Sequence, residues 1–462
     1  MPNVTPYVLT TPRARRIPDL GALTTLIKPE TVDAVLAQHG AVTQRLRRMP
    51  MRLLVYFLLA AGLSPSLSYR ELQAKLEGGW QLSAAGPWRK LTSSAITHAR
   101  RRLPWQVMGT LFSVLAIPEF GASDGRWRGF RLVAIDGSSM ETAASHPNED
   151  AFGGPRGKDK RRVGDPQLRI LTLVDCWTRA ALGAVVVSYD RGEGRLAFEL
   201  VGKICKGMLV LADRGFVGIE LLNAICREEA QVLWRAKKGV AGRRLSTLPD
   251  GSYLAQMRTS DHHGRGWVEG KPPKPVTVRV IEFKLNGQLH RLLTTLFDPV
   301  QAPIRELILL YSQRWEIETF YRECKGDEQG RRRALRSQTP NGVRQEIWAT
   351  LIVHHLTRTL ICWVIDNSQI NDPRIISFEH ATAFIQDHLR AGLHLSRRRL
   401  LGWAVAALTQ PAALLRPPRK PRSCPRQVKP RPTRYQRSNA RTSATKPFDP
   451  TSIELQPCPV AA

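Results

Sequence analysis

The chain has 462 residues, 42% hydrophobic and 23% charged, an ordinary globular composition long enough for two or three domains with a sizeable core. Lys and Arg number 69 against 39 acidic residues, a net charge of +30, and a field of that sign attracts polyanions and speeds their capture, so nucleic acid is the expected partner. The seven cysteines are scattered, odd in number and without a Cys-x-x-Cys pair, which argues against a zinc site or a disulfide framework and fits a reducing cytoplasm.

In chain order, residues 1–48 carry little pattern beyond a helix near Pro29–Ala37. The N-terminus is polar, with Arg13, Arg15 and Arg16, and does not read as a secretory signal. The most compact apolar run, Leu53–Ala61, is far shorter than the roughly 20 residues a bilayer span needs, so no membrane role is expected. Residues 49–118 read as helical: Leu53–Ala61, a break at Gly62–Pro65, then a helix over Tyr69–Leu76 opened by the capping-box spacing of Ser68 and Glu71. A third helix is predicted from Ser93 to Arg102. Its small first residues and basic end suit a helix lying against DNA, or equally a surface helix of a small bundle. Residues 1–118 are thus expected to form a helical N-terminal DNA-binding domain.

The texture changes at Gly129. Phe130–Ile135 reads as an apolar strand ending in Asp136-Gly137, and a Gly- and charge-rich loop follows from Gly153 to Asp165. Strands are predicted over Leu168–Val174, Ala180–Val187, Met208–Ala212 and Gln231–Trp234, and helices over Glu193–Val201 and Val217–Arg227. Three meandering strands, then helix, strand, helix, strand, is the order of an RNase H-like mixed sheet rather than a doubly wound one. Turn-rich and β-like stretches alternate over 237–299, a β-rich insertion with strands at Val276–Phe283 and Leu289–Leu296. Helices resume at Ile304–Lys325, Gly342–Ile365 and Phe378–Leu389, completing an α/β catalytic core over 129–400. Residues 416–462 read as a basic, Pro-rich, disordered tail. Between Arg416 and Lys446 it holds 11 basic residues and no acidic one, which suits sequence-independent nucleic-acid binding or a merely solvated tail.

Two aspartates follow apolar strands and precede turns: Asp136 in Ile135-Asp136-Gly137, and Asp213 in Ala212-Asp213-Arg214-Gly215. One Asp-Gly at a strand end is by itself more often a turn than a site. Asp175 also ends a strand, with nothing near it to support catalysis. Yet strand ends are where sites gather in open α/β sheets, and if the first and fourth strands are neighbours the two carboxylates converge. Hard divalent cations take such oxygens and keep positions open for water and phosphate. The third carboxylate comes from the helix Ile304–Lys325. At about 100° per residue, Tyr311, Arg314, Trp315, Glu318 and Lys325 share one face, whereas Glu316 and Glu323 point elsewhere. A face of that composition is poor as a core stripe and suits a metal-and-phosphate surface.

Tyr311, Arg314, Glu318 and Lys325 match the Tyr-x2-Arg-x3-Glu-x6-Lys pattern of the insertion sequence four family of transposases, which the chain resembles over roughly residues 20–440. Asp136 in Ala-Ile-Asp-Gly resembles that family's first catalytic aspartate, and Asp213 in Leu-Ala-Asp-Arg-Gly-Phe its second. Leu292–Leu296, Leu335–Pro340 and the helical region around Leu53–Leu72 are also similar to family sequence. The resemblance implies a core of the Asp-Asp-Glu type with a β-rich insertion between Asp213 and Glu318. It also implies magnesium as cofactor, a homodimer holding two transposon ends in a synaptic complex, and cut-and-paste movement. Two metal ions held by Asp136, Asp213 and Glu318 are expected, with manganese able to replace magnesium. Water attacks at each terminal inverted repeat, and the freed 3′-hydroxyl attacks onward, ending in target DNA. Arg314 and Lys325 are expected to hold phosphates and Tyr311 to orient one, while Trp315 either stacks on an unpaired base or simply packs. In some members an aromatic in the insertion flips a base; Trp234 and Trp267 are the tryptophans near or in it. The rival readings are a structure-selective RNase H-like nuclease and a non-enzymatic DNA-binding repressor from a decayed element.

Overall fold

The computed structural model describes residues 20–43, 49–80, 91–116, 125–156, 164–237, 239, 242–257, 273–285, 287–326, 335–389, 395–414 and 453–455. Six helices come first: α1 (Ala22–Leu26), α2 (Pro29–Gln38), α3 (Met51–Leu63), α4 (Tyr69–Trp80), α5 (Ser93–Arg102) and α6 (Trp105–Leu115). Next come β1 (Arg126–Trp127), β2 (Phe130–Glu141), α7 (His146–Phe152), β3 (Gln167–Asp175), β4 (Ala181–Ser188), the single turns α8 (Glu193–Leu196) and α9 (Phe198–Val201), β5 (Met208–Ala212), α10 (Ile219–Arg227) and β6 (Gln231–Arg235). Then follow β7 (Arg243–Thr247), β8 (Tyr253–Met257), β9 (Val276–Leu285), β10 (Gln288–Thr294), α11 (Ile304–Ser312), α12 (Trp315–Lys325), α13 (Pro340–Asp366), α14 (Phe378–Asp387), α15 (Arg397–Leu408) and β11 (Ile453–Leu455). The chain divides into two compact units. One comprises residues 1–128, 134–203 and 316–415, the other 129–133, 204–315 and 416–462.

The first unit is built around α13. Thr339 caps its N-terminus through the Gly342 amide, and Pro340 occupies the first turn, where a missing N–H costs nothing. The helix is long and apolar enough to cross a bilayer by length and composition, but its apolar stretch is mostly buried, because α3, α6, α14 and α15 pack around it. It is a core helix, and so is α3, apolar on every side and buried along almost its whole length. The N-terminal helices therefore share a core with α13 instead of forming a body of their own. The sheet of this unit runs β4–β3–β2. The β3–β4 hairpin pairs Leu168 with Ser188 through Val174 with Ala181. Its turn is organised by Asp175, whose Oδ1 accepts from the Trp177 and Thr178 amides and the Thr178 hydroxyl at 3.0, 2.6 and 2.9 Å. Asp175 thus ends its strand, as expected, and organises the turn that follows.

In the second unit β5 and β6 pair in parallel, Leu209 opposite Gln231 and Ala212 opposite Trp234, a geometry that requires the crossover helix α10 between them. The first residues of β2 belong here too, the Arg131 amide donating to the Gly207 carbonyl at 2.8 Å. The stretch read as an insertion does not make a separate sheet. β10 pairs antiparallel with β6, Leu293 opposite Trp234, and the order continues β6–β10–β9–β8–β7. Arg279 on β9 is fully buried. It donates to the Ser252 hydroxyl and to the carbonyls of Leu296 and Ala302, and pairs with Asp250, which pins the loop after β10. Within the expected tail, Ile453–Leu455 adds a strand to β9, Ile453 opposite Leu285. The rest of 415–462 lies outside the described residues.

Candidate active site

Asp136 stands in the middle of β2, not at its end. The residues Asp-Gly-Ser-Ser-Met-Glu carry turn propensity, yet pairing with β3 keeps them extended, since strand partners outweigh local preference. The Asp136 carboxylate is half-buried and accepts from the Gly137 amide at 2.8 Å. A Cβ at residue 137 would lie 2.6 Å from the Glu193 carboxyl, so a side chain there would push Glu193 aside; that carboxyl in turn faces Arg169 at 3.4 Å.

The helix expected over Ile304–Lys325 is two helices. It breaks at Gln313–Arg314, between α11 and α12. One helical phase therefore does not carry Tyr311 and Arg314 onto the Glu318 face, and the five-residue face is corrected to a shorter one. Along α12, Glu318, Tyr321 and Lys325 recur at i, i+3 and i+7, a single stripe. Two of the three are bonded to β2 and its neighbour. The Tyr321 hydroxyl donates to the Asp136 carbonyl at 2.7 Å and accepts from the Thr172 hydroxyl of β3 at 2.8 Å. Lys325 Nζ donates to Ser138 Oγ at 2.7 Å. The helix thus presents the stripe that holds Glu318 to the strand that holds Asp136. Burial pushes the Tyr321 hydroxyl well above the ordinary tyrosine value, so it stays a donor.

The opposite face of α12 is anchored as well. Glu323 is nearly enclosed and receives Arg358 through both its Nε, at 3.2 Å, and its Nη2, together with His354 Nε2 at 2.8 Å. Burial alone would raise this carboxyl, but Arg358, His354 and Arg179 outweigh it and hold it down at about 2.

In the second unit, Asp213 directly follows β5, as expected, with its Oδ1 accepting from the Gly215 amide at 2.7 Å. A Cβ at residue 215 would come within 2.9 Å of that oxygen, so a side chain there would displace the Asp213 carboxylate. The Tyr311 hydroxyl lies 3.3 Å from the carbonyl of Ala212, the residue before Asp213. Burial, reinforced by Asp213, pushes Tyr311 up to about 12 against the pull of Arg314 and Arg235. Arg314 is buried, and its guanidinium lies 5.6 Å from the ring centre of Trp315, which is exposed. Of the two tryptophans considered for base flipping, Trp234 is 1% exposed and unavailable to a base, and Trp267 lies outside the described residues.

Sequence reasoning missed Tyr321 and the Glu323 cluster. Tyr321 was open to discovery, since it lies three residues after Glu318 on the same stripe. Glu323 was not, because its partners Arg179 and Arg358 are distant in sequence. The α5 helix also divides in two. Arg100 is drawn inward to Tyr69, Gln345, Ser337 and the Gly342 carbonyl, while Ser94, Thr97, His98, Arg101 and Arg102 are exposed.

The transposase DDE domain family model matches residues 127–356, spanning Asp136, Asp213 and Glu318, and the insertion element 4 transposase N-terminal model matches residues 17–113. The chain belongs to the insertion element 4 family of DDE transposases. It is 28% identical to the transposase InsG for insertion sequence element IS4 of Escherichia coli (strain K12), over 90% of this chain and 93% of that one. It is 25% identical to the putative transposase InsZ of the same organism, over 55% and 85%. Among solved structures it is similar to a piggyBac transposase synaptic complex with hairpin DNA, at 10% identity and a TM-score of 0.42, covering 87% of this chain and 85% of that one. The transposase is accordingly an enzyme acting on DNA, with an RNase H-like core and divalent-metal dependence. Among the described residues, no three His, Cys, Asp or Glu side chains are gathered closely enough to hold a metal ion.

Proposed function

We propose that this transposase cleaves DNA at the terminal inverted repeats of its element and joins the freed ends to target DNA, with Asp136, Asp213 and Glu318 acting on one catalytic centre. The observation that carries the reading is the bonding of the Glu318 stripe of α12 to β2: Tyr321 to the Asp136 carbonyl and Lys325 to Ser138. The donor set fits a hard divalent cation. All three carboxylates offer oxygen only and are partly exposed, which leaves room for water and phosphate to share the coordination. Magnesium, as two ions and replaceable by manganese, supplies charge neutralisation at the attacked phosphate when bound.

The chain's own groups do the rest. Asp136 and Glu318 are held in register by Tyr321, and Tyr311 steadies the chain entering Asp213 through the Ala212 carbonyl. Lys325, at the end of the Glu318 stripe, exchanges Ser138 for a phosphate oxygen when DNA binds, and Arg314 supports a second phosphate. Trp315, exposed beside Arg314, offers a ring on which an unpaired base stacks. The exposed side of α5 reads the transposon ends, and the basic 416–446 segment adds sequence-independent affinity. The working form is a homodimer holding both ends in the cytoplasm, at the nucleoid. Replacing Asp136, Asp213 or Glu318 singly by Asn or Gln is expected to abolish cleavage and leave end-binding largely intact. Normal cleavage by the Glu318→Gln variant would remove Glu318 from the assignment.

A further inference from the structure

Arg179 sits in the β3–β4 turn with a φ of +58°, left-handed backbone that a side chain disfavours and glycine or asparagine adopts more readily. The turn itself does not call for arginine, since Asp175 and Thr178 already supply its bonds. What the arginine does is reach α12. Its Nε donates to Glu316 Oε2 at 2.5 Å, and its Nη1 lies 3.6 Å from Glu323 Oε1. Glu316 and Glu323 are seven residues apart, two turns along one face of α12. That face is roughly 140–180° from the stripe bearing Glu318 and Lys325. A single guanidinium therefore grips the back of the helix at two levels, and Arg358 and His354 close on Glu323 from α13. A grip at two levels resists rotation of the helix about its axis, where a single contact would act as a pivot. Arginine suits this because its planar fork engages two carboxylates at once, which an ammonium on a flexible stem does not.

We infer that Arg179 is a positioning residue for the reaction: through Glu316 and Glu323 it sets the rotation of α12 and so aims the Glu318 carboxylate. The inference rests on the reading of Glu318 as a metal ligand. Strained backbone is retained where the side chain it carries is needed, and the grip on Glu316 and Glu323 is that need.

The test uses the full-length protein and an oligonucleotide duplex carrying the element's own terminal repeat. Arg179→Gly, Arg179→Lys and Glu318→Gln are compared with the unmodified chain for melting temperature, end-binding and cleavage across a manganese titration. Glycine relieves the left-handed strain, and Arg358 and His354 still hold Glu323, so the Arg179→Gly protein is expected to fold and bind ends normally. Its half-saturating manganese concentration is expected to rise, and its cleavage rate at subsaturating metal to fall, by roughly ten- to a hundredfold, the usual effect of losing an outer partner of a metal ligand. Arg179→Lys is expected to recover part of that loss. An Arg179→Gly protein with unchanged rate and metal dependence overturns the inference. So does one whose cleavage falls only in step with melting temperature and end-binding, at an unchanged half-saturating concentration. Glu318→Gln separates the two claims. If it is inactive while Arg179→Gly is normal, only the positioning role fails; if it cleaves normally, the underlying reading of Glu318 fails as well.

Discussion

The hydroxyl of Tyr321 and the main-chain carbonyl of Asp136 are 2.7 Å apart, a hydrogen bond that ties α12 to the middle of β2. Removing it by Tyr321→Phe leaves the ring and its edge contact with Phe320 in place but deletes the hydroxyl's bonds to the Asp136 carbonyl and the Thr172 hydroxyl. Losing a hydrogen bond of this kind costs about 0.5–1.5 kcal/mol. The Tyr321→Phe protein is expected to melt several degrees lower and to cut more slowly while binding ends normally. Thermal melts and single-turnover cleavage check this, and a variant matching the original in both would show the bond to be incidental.

Arg314→Ala and Lys325→Ala are both expected to slow cleavage. A lost charge-assisted hydrogen bond is worth roughly 1.5–3 kcal/mol, or about ten- to a hundredfold in rate when felt fully in the transition state. They differ in stability. Arg314 is buried beside Tyr311, so its loss also lowers the melting temperature, whereas Lys325 touches Ser138 at a partly exposed position and its loss does so little. Equal melting temperatures for the two variants would contradict the buried role of Arg314.

Two arginines adjacent in α5 are expected to behave oppositely. Arg100→Ala breaks bonds to Gln345, Ser337 and the Gly342 carbonyl, so it destabilises the fold. Arg101→Ala leaves the fold intact and weakens end-binding, lowering the slope of log affinity against log salt by about 1 if it contacts a phosphate. Fluorescence-anisotropy titrations at several salt concentrations decide the point, and an unchanged slope for Arg101→Ala would remove that residue from the interface.

Stability is expected to fall on acidification in two stages. Buried His355 is held neutral, its pKa pushed down to about 4 by burial and by neighbouring His354. Between about 6.5 and 4 the unfolded chain takes up a proton that the folded one refuses, so stability drops as pH falls through that window. His354 is lowered by burial and acts in the same direction. Glu323, held at about 2, continues the loss below its ordinary value near 4.5. Melting temperatures recorded from pH 7 to pH 4 are expected to show a decline that His355→Gln flattens. A profile that His355→Gln leaves unchanged would place the upper limb elsewhere.

Much of the architecture was legible in the chain itself. Apolar runs such as Met208–Ala212 announced strands because a buried parallel strand needs side chains that avoid water on both faces. The net charge announced a nucleic-acid partner, and the resemblance of Tyr311, Arg314, Glu318 and Lys325 to a family pattern announced a transposase. These are properties of local composition and order, which require no partner to exist. What tertiary structure decided depends on partners far away in sequence. Asp136-Gly137 has the makings of a turn and became mid-strand because β3 supplied a ladder. A continuous helical pattern over Ile304–Lys325 became two helices, with Tyr311 turned to the Ala212 carbonyl and Tyr321 to that of Asp136. Arg100, Arg179 and Arg279, about which local sequence says little, became internal ties. A guanidinium withdrawn from water is tolerated only where carboxylates and carbonyls converge on it, and only the folded chain brings those together.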